Sequence, residues 1–432
     1  MEPRNTASLS WTDQRFNFII LTLDGLFFWL GISYFSPTTI LPLFVSHLTE
    51  SNLVIGAVPA VVAVAWSLPQ LAGARAIGRQ TSRKHYIVRT ALLGRVPLLA
   101  LVIITALFAE PHPTLTLVLF FICFGLFRLT GGLNTPAYYD LVATVISPRL
   151  RARFIGLSQF LGGAIAALGL LAGGALLDAL PFPTGFVVSF SIGLFFVTVA
   201  IGFMAVVREP PFATHPVGSG ETKVQGAAAI LGVAGEALRQ DAHFRRYLYS
   251  RVLLALAGMA LAFYAIHATR VLGASDGDVA FFTAVLLASQ TGSTLLWGAV
   301  ADRLQLTPVL VAATILNFAA TALALAAPSL VWFPGIFLLA GGSLGALAVT
   351  DPGLPLALAE AASVDRALYV ALANTVLAPF HMLAPLLGGA AADAGGYGLT
   401  YALALASATA AGISIVYTSR ASRIAPSDGA SP

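Results

Sequence analysis

Charged residues are scarce in this 432-residue chain. They make up 10% of it, whereas 58% is hydrophobic and the mean hydropathy is +0.86. Soluble globular domains contain about 25% charged residues, so this chain has too few to cover a water-facing surface of its size. The shortage excludes a soluble enzyme, a disordered protein and a nucleic-acid-binding protein. Most of the protein surface is therefore expected to face lipid.

Lysine and cysteine are almost absent. Only Lys84 and Lys223 are lysines, and the net charge of +4 is too thinly spread for a phosphate-tracking surface. The single cysteine, Cys123, lies in an apolar run, so no internal disulfide can form, and we interpret it as a small core residue. No cluster of His, Cys and acidic residues has metal-ligand spacing, and no nucleotide-binding motif has the right spacing. We expect no metal and no cofactor.

Long apolar runs are what the chain has in abundance. A helix that crosses a bilayer needs about 20 mostly apolar residues, and twelve runs meet this requirement. Residues 1–16 are polar and lack the pattern of a cleaved secretory signal, so the first run is expected to remain as a helix. The predicted spans are 17–46, 54–77, 86–109, 115–141, 153–180, 186–207, 245–271, 278–300, 307–327, 332–358, 367–394 and 398–418.

The spans form two groups of six joined by a polar segment. We predict a tail at 1–16, a six-helix bundle at 17–207, a central linker at 208–244, a second bundle at 245–418 and a tail at 419–432. Placing the N-terminus in the cytoplasm puts nearly all arginines outside the apolar runs on the cytoplasmic side, as the positive-inside rule requires. We therefore predict a multi-pass protein of the bacterial cytoplasmic (inner) membrane, with both termini inside, acting as a monomer.

The two halves repeat each other at an offset of 215 residues, which places the fifth span on the eleventh. The matched positions are Arg151, Ala152, Leu157, Gln159, Gly173, Gly174, Ala175 and Asp178 on Arg366, Ala367, Leu372, Asn374, Gly388, Gly389, Ala390 and Asp393. Parallel repeats of this kind occur in secondary transporters. Chance similarity of two Gly/Ala-rich helices is the alternative. Asp178 and Asp393 end their spans on the outer side and are expected simply to be solvated.

Loop motifs add a resemblance to a known family. The segment Gly298-Ala-Val-Ala-Asp302-Arg303 after the eighth span is similar to the G-x-x-x-D-R loop of the major facilitator superfamily. Its counterpart after the second span keeps Gly73 and the basic Arg83 but lacks the Asp-Arg pair. In this family the loop acts as a cytoplasmic latch, which the resemblance implies for these residues. Asp140 is expected to join the latch through a salt bridge to Arg149 or Arg151.

Three helix motifs resemble those of the family's bacterial drug/proton antiporters. They are Gly169-Leu-Leu-Ala-Gly173-Gly174 in the fifth span with Pro385, Gly388 and Gly389 in the eleventh; Arg128-Leu-Thr-Gly131-Gly132 in the fourth; and Gly31, Pro37 and Pro42 in the first. The resemblance covers essentially the whole chain. It implies an all-α integral membrane fold with twelve transmembrane helices in two pseudo-symmetric six-helix bundles. In that fold the first, fourth, seventh and tenth spans line a central cavity.

Four ionisable residues lie at membrane depth and are the candidates for the working site, because charge in hydrocarbon is costly. Asp24 and Asp351 lie about 10 Å inside their spans, and Arg128 and His381 lie near the middle of theirs. A carboxyl shielded from water exchanges protons according to its hydration and to nearby charge. Asp24 is the leading candidate for the proton carrier and Arg128 for its modulator, with Asp351 also assigned to coupling. A purely structural Asp–Arg pair is the alternative.

Further polar and aromatic side chains could line a substrate cavity, since small-molecule pockets are mostly apolar with a few placed polar groups. The candidates are Trp29, Tyr34, Tyr264, His267, Gln290 and His381. Each could equally be a packing or lipid-facing residue.

The sequence predicts a secondary transporter that works by alternating access and exports a small amphiphilic organic compound in exchange for protons. The expected partners are the lipid bilayer, a small-molecule substrate and protons, without nucleic acid. Uptake of a nutrient by symport or uniport is one alternative, and a non-transporting membrane sensor is another. An enzyme is not expected, because the one hydrolase-like pattern, Gly341-Gly-Ser-Leu-Gly345, lies within an apolar span.

Overall fold

The computed structural model describes residues 10–67, 69–77, 82–210, 241–361 and 366–424, and these residues contain helices but no strands. The helices are α1 Trp11–Ser33, α2 Ile40–Leu48, α3 Asn52–Ser67, α4 Gln70–Ile77, α5 Arg83–Phe108, α6 Pro113–Val145, α7 Pro148–Ala179, α8 Thr184–Val206, α9 Ala242–Ala257, α10 Leu261–Leu272, α11 Asp276–Leu304, α12 Leu306–Ala326, α13 Phe333–Ala361 and α14 Arg366–Ile424. Residues 211–240 of the central linker, 1–9 of the first tail and 425–432 of the last tail lie outside the described residues.

Twelve membrane crossings can be assigned within these helices. Ten segments are long and apolar enough to cross a bilayer. One of them, Leu372–Tyr417, has 46 residues and changes direction at Gly395 and Gly396, whose backbone is not helical. It therefore holds two spans, and the shorter apolar α3 adds the twelfth. The all-α membrane fold predicted from the sequence is confirmed.

Three predicted spans are each built from two helices. The second is divided between α3 and α4, with Pro69 in a turn between them. The first span is broken at residues 34–39 between α1 and α2, where Pro37 has no backbone N–H to donate. The hydroxyl groups of Ser36 and Thr39 hydrogen-bond to each other at 2.9 Å within this break. The seventh span is divided by a short 3-10 turn at Gly258–Ala260. Each break interrupts the regular α-helix within a predicted span.

The chain packs as two compact units. The first contains the described residues of Met1–Glu50, Val61–Glu221 and Ala274–Leu287, and the second contains those of Ser51–Ala60, Thr222–Gly273 and Ala288–Pro432. Relative to the predicted halves, two short segments are exchanged: 51–60 packs in the second unit and 274–287 in the first. Both segments include the first turns of a helix, and the contacts that hold them are described below.

Each unit has an apolar core with close helix contacts. In the first unit, Phe35, Phe44 and Phe190 are fully buried and their rings pack 5.1–5.3 Å apart. There α1 approaches α8 closely, because a side chain at Gly31 would lie 2.7 Å from the backbone of Val197. In the second unit, α9, α12 and α14 share a cluster that includes Leu254, Leu310 and Ala411.

Candidate functional site

Asp24 is buried inside the first unit, near the middle of α1, with 9% of its surface exposed. No described residue forms a hydrogen bond or an ion pair within 4 Å with its carboxyl group. It interacts electrostatically with Arg95 of α5 and Tyr138 of α6. Arg95 itself is held in place, because it donates to the Val197 carbonyl at 2.7 Å and lies over the Phe127 ring. The structure thus provides an acid without a direct partner beside a fixed cation.

Arg128 lies in the middle of α6 and contacts Trp66 of α3, with its guanidinium carbon over the indole at 5.4 Å from the ring centroid. The indole Nε1 donates to Thr135 Oγ1 at 3.0 Å, which fixes the ring. Among the described residues, no acid lies within ion-pair distance of Arg128, and its buried Nε has no hydrogen-bond acceptor. The charge partner predicted for Asp24 therefore lies against an aromatic ring in this structure.

The second unit contains a charge pair in which Arg251 of α9 approaches Asp351 of α13, Nη2 to Oδ1, at 2.6 Å. The arginine side chain is 1% exposed and the aspartate side chain is 38% exposed. Nε and Nη1 of Arg251 and the hydroxyl of Tyr247, one turn earlier, have no hydrogen-bond partner among the described residues. His381 of α14 interacts electrostatically with Arg251. Asp351 thus pairs with an arginine that the sequence analysis did not select, and His381 interacts with the same arginine electrostatically.

The residues predicted for a substrate cavity lie in different surroundings. Tyr264 is buried in the second unit and its hydroxyl is 2.7 Å from Thr321 Oγ1. His267 stacks on Tyr397 and its Nδ1 lies 3.1 Å from the Tyr401 hydroxyl. Tyr34 is buried, Gln290 is half-buried, and Trp29 is 38% exposed. Tyr401 also packs against Tyr264, with ring centroids 5.7 Å apart, so Tyr264 and His267 belong to one aromatic cluster.

A charged cluster lies where α5 begins. Arg83 is hydrogen-bonded to Asp140 of α6 and lies 3.9 Å from Glu209. Glu209 also accepts hydrogen bonds from the backbone N–H groups of Arg83 and Lys84 and so caps α5. The Asp140 partner in the structure is thus Arg83. The side chains of Arg149 and Arg151, the predicted partners, lie outside the described residues.

The glycines of the loop motifs have different environments. A side chain at Gly73 would lie 2.3 Å from the Leu133 carbonyl oxygen, so α4 and α6 are in close contact there. A side chain at Gly298 would meet nothing within 4 Å, so close helix packing does not explain that glycine. Asp302 and Arg303, at the end of α11, are exposed and form no ion pair with any other described residue.

The paired glycine motifs hold the two exchanged segments. A side chain at Gly174 of α7 would lie 2.3 Å from Ala280 Cβ, and one at Gly389 of α14 would lie 2.5 Å from the Asn52 carbonyl oxygen. In the same motifs, Gly169 packs against Ser33 and Gly173 against Tyr34. Side chains at Gly56 and Gly388 would likewise collide with Pro385 and Met259.

The expectation that Asp178 and Asp393 are merely solvated was wrong. Asp178 Oδ1 accepts from the Gly277 N–H at 2.7 Å, in the first turn of α11. Asp393 accepts from the backbone N–H groups of Asn52 and Leu53 at 2.8 and 3.0 Å, in the first turn of α3. Free N–H groups at a helix start attract a carboxylate. Each aspartate therefore caps one of the exchanged segments.

Arg95 and Arg251 are two deep ionisable residues that the sequence analysis missed. Both lie inside predicted spans, so the criterion that selected Asp24 and Arg128 applies to them equally. Glu209 was missed for a different reason, because it follows the sixth span and only the fold brings it to the start of α5. Among the described residues, no group of three or more His, Cys, Asp or Glu residues is arranged to hold a metal ion.

Comparison with known proteins shows the fold at low sequence identity. No protein-family model matches the chain, and no curated protein matches its sequence. The nucleoside transporter NupG superposes with a TM-score of 0.67 at 15% identity, over 94% of this chain and 99% of that one. A bacterial homolog of the human lysosomal transporter Spinster gives 0.65 at 17%, over 95% and 96%.

The description of a third similar structure includes a superfamily name. FucP, described as a major facilitator superfamily transporter in the outward conformation, superposes with a TM-score of 0.55 at 15% identity, over 93% of this chain and 99% of that one. All three are described as transporters or as a homolog of one. Identities this low establish the architecture alone. The chain has the fold of the major facilitator superfamily transporters.

Proposed function

We propose that this protein is a secondary transporter that works by alternating access and couples the export of a small amphiphilic organic compound to protons. The observation that carries the proposal is Asp24, a buried carboxyl group in the middle of a membrane-spanning helix without a direct partner among the described residues. Ionisable groups at such depth are rare and usually functional. The fold, which is shared with known transporters, supports a role in transport for the Asp24 carboxyl group.

Proton exchange at Asp24 follows from its neighbours. The fixed guanidinium of Arg95 favours the ionised carboxylate, whereas burial disfavours it. A change in hydration or in the position of Arg95 during the transport cycle would shift this balance. Proton binding and release can then follow the conformational state. Arg95 therefore joins Asp24, Arg128 and Asp351 in the proposed coupling machinery.

The remaining predicted site residues keep their proposed roles. Trp29, Tyr34, Tyr264, His267, Gln290 and His381 are proposed for the substrate cavity. Gly73, Arg83, Asp140, Arg149, Arg151, Gly298, Asp302 and Arg303 are proposed for the cytoplasmic gate. Arg83 has the strongest support there, because it contacts both Asp140 and Glu209.

The test uses inverted membrane vesicles whose lumen is acidified by ATP-driven proton pumping, with an acridine dye reporting the pH gradient. A panel of amphiphilic organic compounds is added from outside. We expect at least one compound to release protons through the wild-type protein and none to do so through Asp24→Asn, because an amide cannot carry the proton.

Asp13→Asn is the matched control, because Asp13 lies on the same helix, near its start. Its backbone N–H donates to Ser10 Oγ, and its carboxylate accepts a hydrogen bond from Arg208. It should behave as wild type. Equal amounts of both variants and a single symmetric peak on gel filtration establish folding. Normal proton release by Asp24→Asn would contradict the coupling assignment.

Uptake by symport is the second candidate, because one structure with this fold is described as the E. coli fucose:proton symporter FucP. In acid-loaded inverted vesicles a symporter does not use the gradient to accumulate compound from outside, whereas an exporter does. Accumulation of the active compound in the lumen therefore separates the two candidates.

A further inference from the structure

Three arginines lie deep in membrane-spanning helices of the described residues, and their charges are balanced unequally. Arg95 has Asp24 as its electrostatic partner, and Arg251 has Asp351 at 2.6 Å. Arg128 has no acidic partner within ion-pair distance among the residues the structure describes, and its guanidinium lies over the indole of Trp66. Among the described residues, Arg128 is thus the deep arginine whose charge has no acidic partner.

The position of Arg128 leaves its donors available. An arginine that lies over an aromatic ring uses its face for that contact and keeps its N–H groups, which lie in the guanidinium plane, for a planar acceptor. No described residue accepts a hydrogen bond from Arg128, and its Nε is buried without an acceptor. A carboxylate, with two coplanar oxygens, fits these donors as a two-pronged pair.

An open position lies beside the arginine on the same face of α6. Gly131 is one turn after Arg128, is exposed, and has no side chain; a Cβ there would meet only Trp66 Cδ1, at 4.0 Å. The Trp66 residue itself is 41% exposed. An apolar wall, an open position and a cation are therefore adjacent, as an amphiphilic anion requires.

We propose that Arg128, Trp66 and Gly131 form a binding site for an organic monocarboxylate, with the carboxylate on Arg128 and the apolar body against Trp66. One uncompensated charge balances one carboxylate, which favours a monoanion over a dianion such as a phosphate monoester. The inference rests on the proposed function, because it identifies the transported compound as an organic acid.

The test measures ligand-induced thermal stabilisation of the full-length protein purified in detergent. The probes are hexanoate, phenylacetate and indole-3-acetate, each beside its uncharged amide at the same concentration and ionic strength. We expect at least one acid to raise the unfolding temperature while its amide does not. Titration should show affinity about ten- to a hundredfold weaker in Arg128→Gln, the loss of one charge-assisted contact.

Three further variants separate the parts of the site. Arg128→Lys keeps the charge but loses the fork and should bind with intermediate affinity. Gly131→Gln places a side chain in the open position beside Arg128 without changing the charge, and it should weaken binding. Arg89→Gln removes an exposed arginine from α5 in the same unit and should bind as wild type.

The proposal is overturned if no acid is distinguished from its amide, if the distinction survives in Arg128→Gln, or if Arg89→Gln loses it as well. Should Arg128→Gln fail to fold, unchanged binding in both Arg128→Lys and Gly131→Gln overturns it equally. Acid binding in detergent needs no proton gradient. Binding without proton release in vesicles would therefore refute the coupling alone, and proton release without acid binding would refute this site alone.

Discussion

The ion pair between Arg251 and Asp351 is unequal at its two ends. The arginine side chain is buried in the second unit, whereas more than a third of the aspartate side chain is exposed. Removing either residue leaves the other without its partner, but only the arginine would then be a buried, uncompensated charge. An exposed carboxylate can be solvated instead. The two single substitutions should therefore have different costs.

We predict that Asp351→Ala lowers the free energy of unfolding by about 3–5 kcal/mol, as for other buried charges that lose their partner. Arg251→Met should cost about 1 kcal/mol or less, because more than a third of the remaining aspartate side chain is exposed and its charge can be solvated. The measurement is unfolding in mixed micelles by titration with sodium dodecyl sulfate.

The double variant Arg251→Met with Asp351→Ala is the control for this pair. It should be more stable than Asp351→Ala alone, since no buried charge remains. Equal destabilisation by the two single substitutions would show that the burial difference has no energetic effect.

The sequence identifies deep ionisable residues but not their partners. Asp24, Arg128 and Asp351 were selected because each interrupts an apolar run, and the structure places each inside a helix. Which residue lies beside Asp24 depends on the rotation of α1 against α5 and α6, which are distant in sequence. Hydropathy contains no information on rotation, so the proximity of Arg95 to Asp24 emerges only from the fold.

The caps at α3 and α11 show the internal repeat at the level of elements. Asp178 and Asp393 are equivalent under the 215-residue offset, and each accepts backbone N–H groups from the start of a helix. The neighbouring Gly174 and Gly389, also equivalent, allow the closest approach to those helices. The repeat therefore preserves a contact between two helices as well as a sequence pattern.

We predict that Asp393→Ala destabilises the protein more than Asp178→Ala does. Asp393 accepts hydrogen bonds from two backbone N–H groups and from the side chains of Ser51 and Asn52, whereas Asp178 accepts one backbone N–H and a weaker bond from Ser275. Losing a helix cap costs about 0.5–2 kcal/mol, and we place Asp393 at the upper end.

Thermal unfolding in detergent measures the order of these two variants. Glu110→Ala, at an exposed turn after α5, is the matched acidic control and should leave the unfolding temperature unchanged. A larger loss for Asp178→Ala than for Asp393→Ala would contradict the hydrogen-bond argument.

The number of membrane crossings was predictable from the sequence, whereas the helix breaks within them were not. Each bilayer crossing needs about 20 mostly apolar residues, and apolar runs of this length can be read directly from the sequence. The break at residues 34–39 lies within one apolar run, and Pro37 alone does not reveal it, since Pro97 and Pro136 lie inside unbroken helices. Neighbouring helices can supply hydrogen bonds that a proline removes, so the outcome depends on packing.

At the scale of the whole molecule, the arginine distribution predicts that both termini lie in the cytoplasm. The test starts from Cys123→Ser, which removes the only cysteine. In that background a cysteine at Glu110, after the third span, should react with a membrane-impermeant maleimide on spheroplasts. One at the exposed Leu304, after the eighth span, should react only once the membrane is opened. The reverse pattern would invert the topology.

The exchange of residues 51–60 and 274–287 between the two units has a consequence for biogenesis. Ribosomes deliver the chain from its N-terminus, so the first unit lacks one of its own packing segments until residue 287 has been synthesised. The first turns of α3, conversely, are inserted long before Asp393 exists to cap them. The first unit therefore cannot complete its packing during synthesis of its own half, and the first turns of α3 wait in the membrane until the second half supplies Asp393.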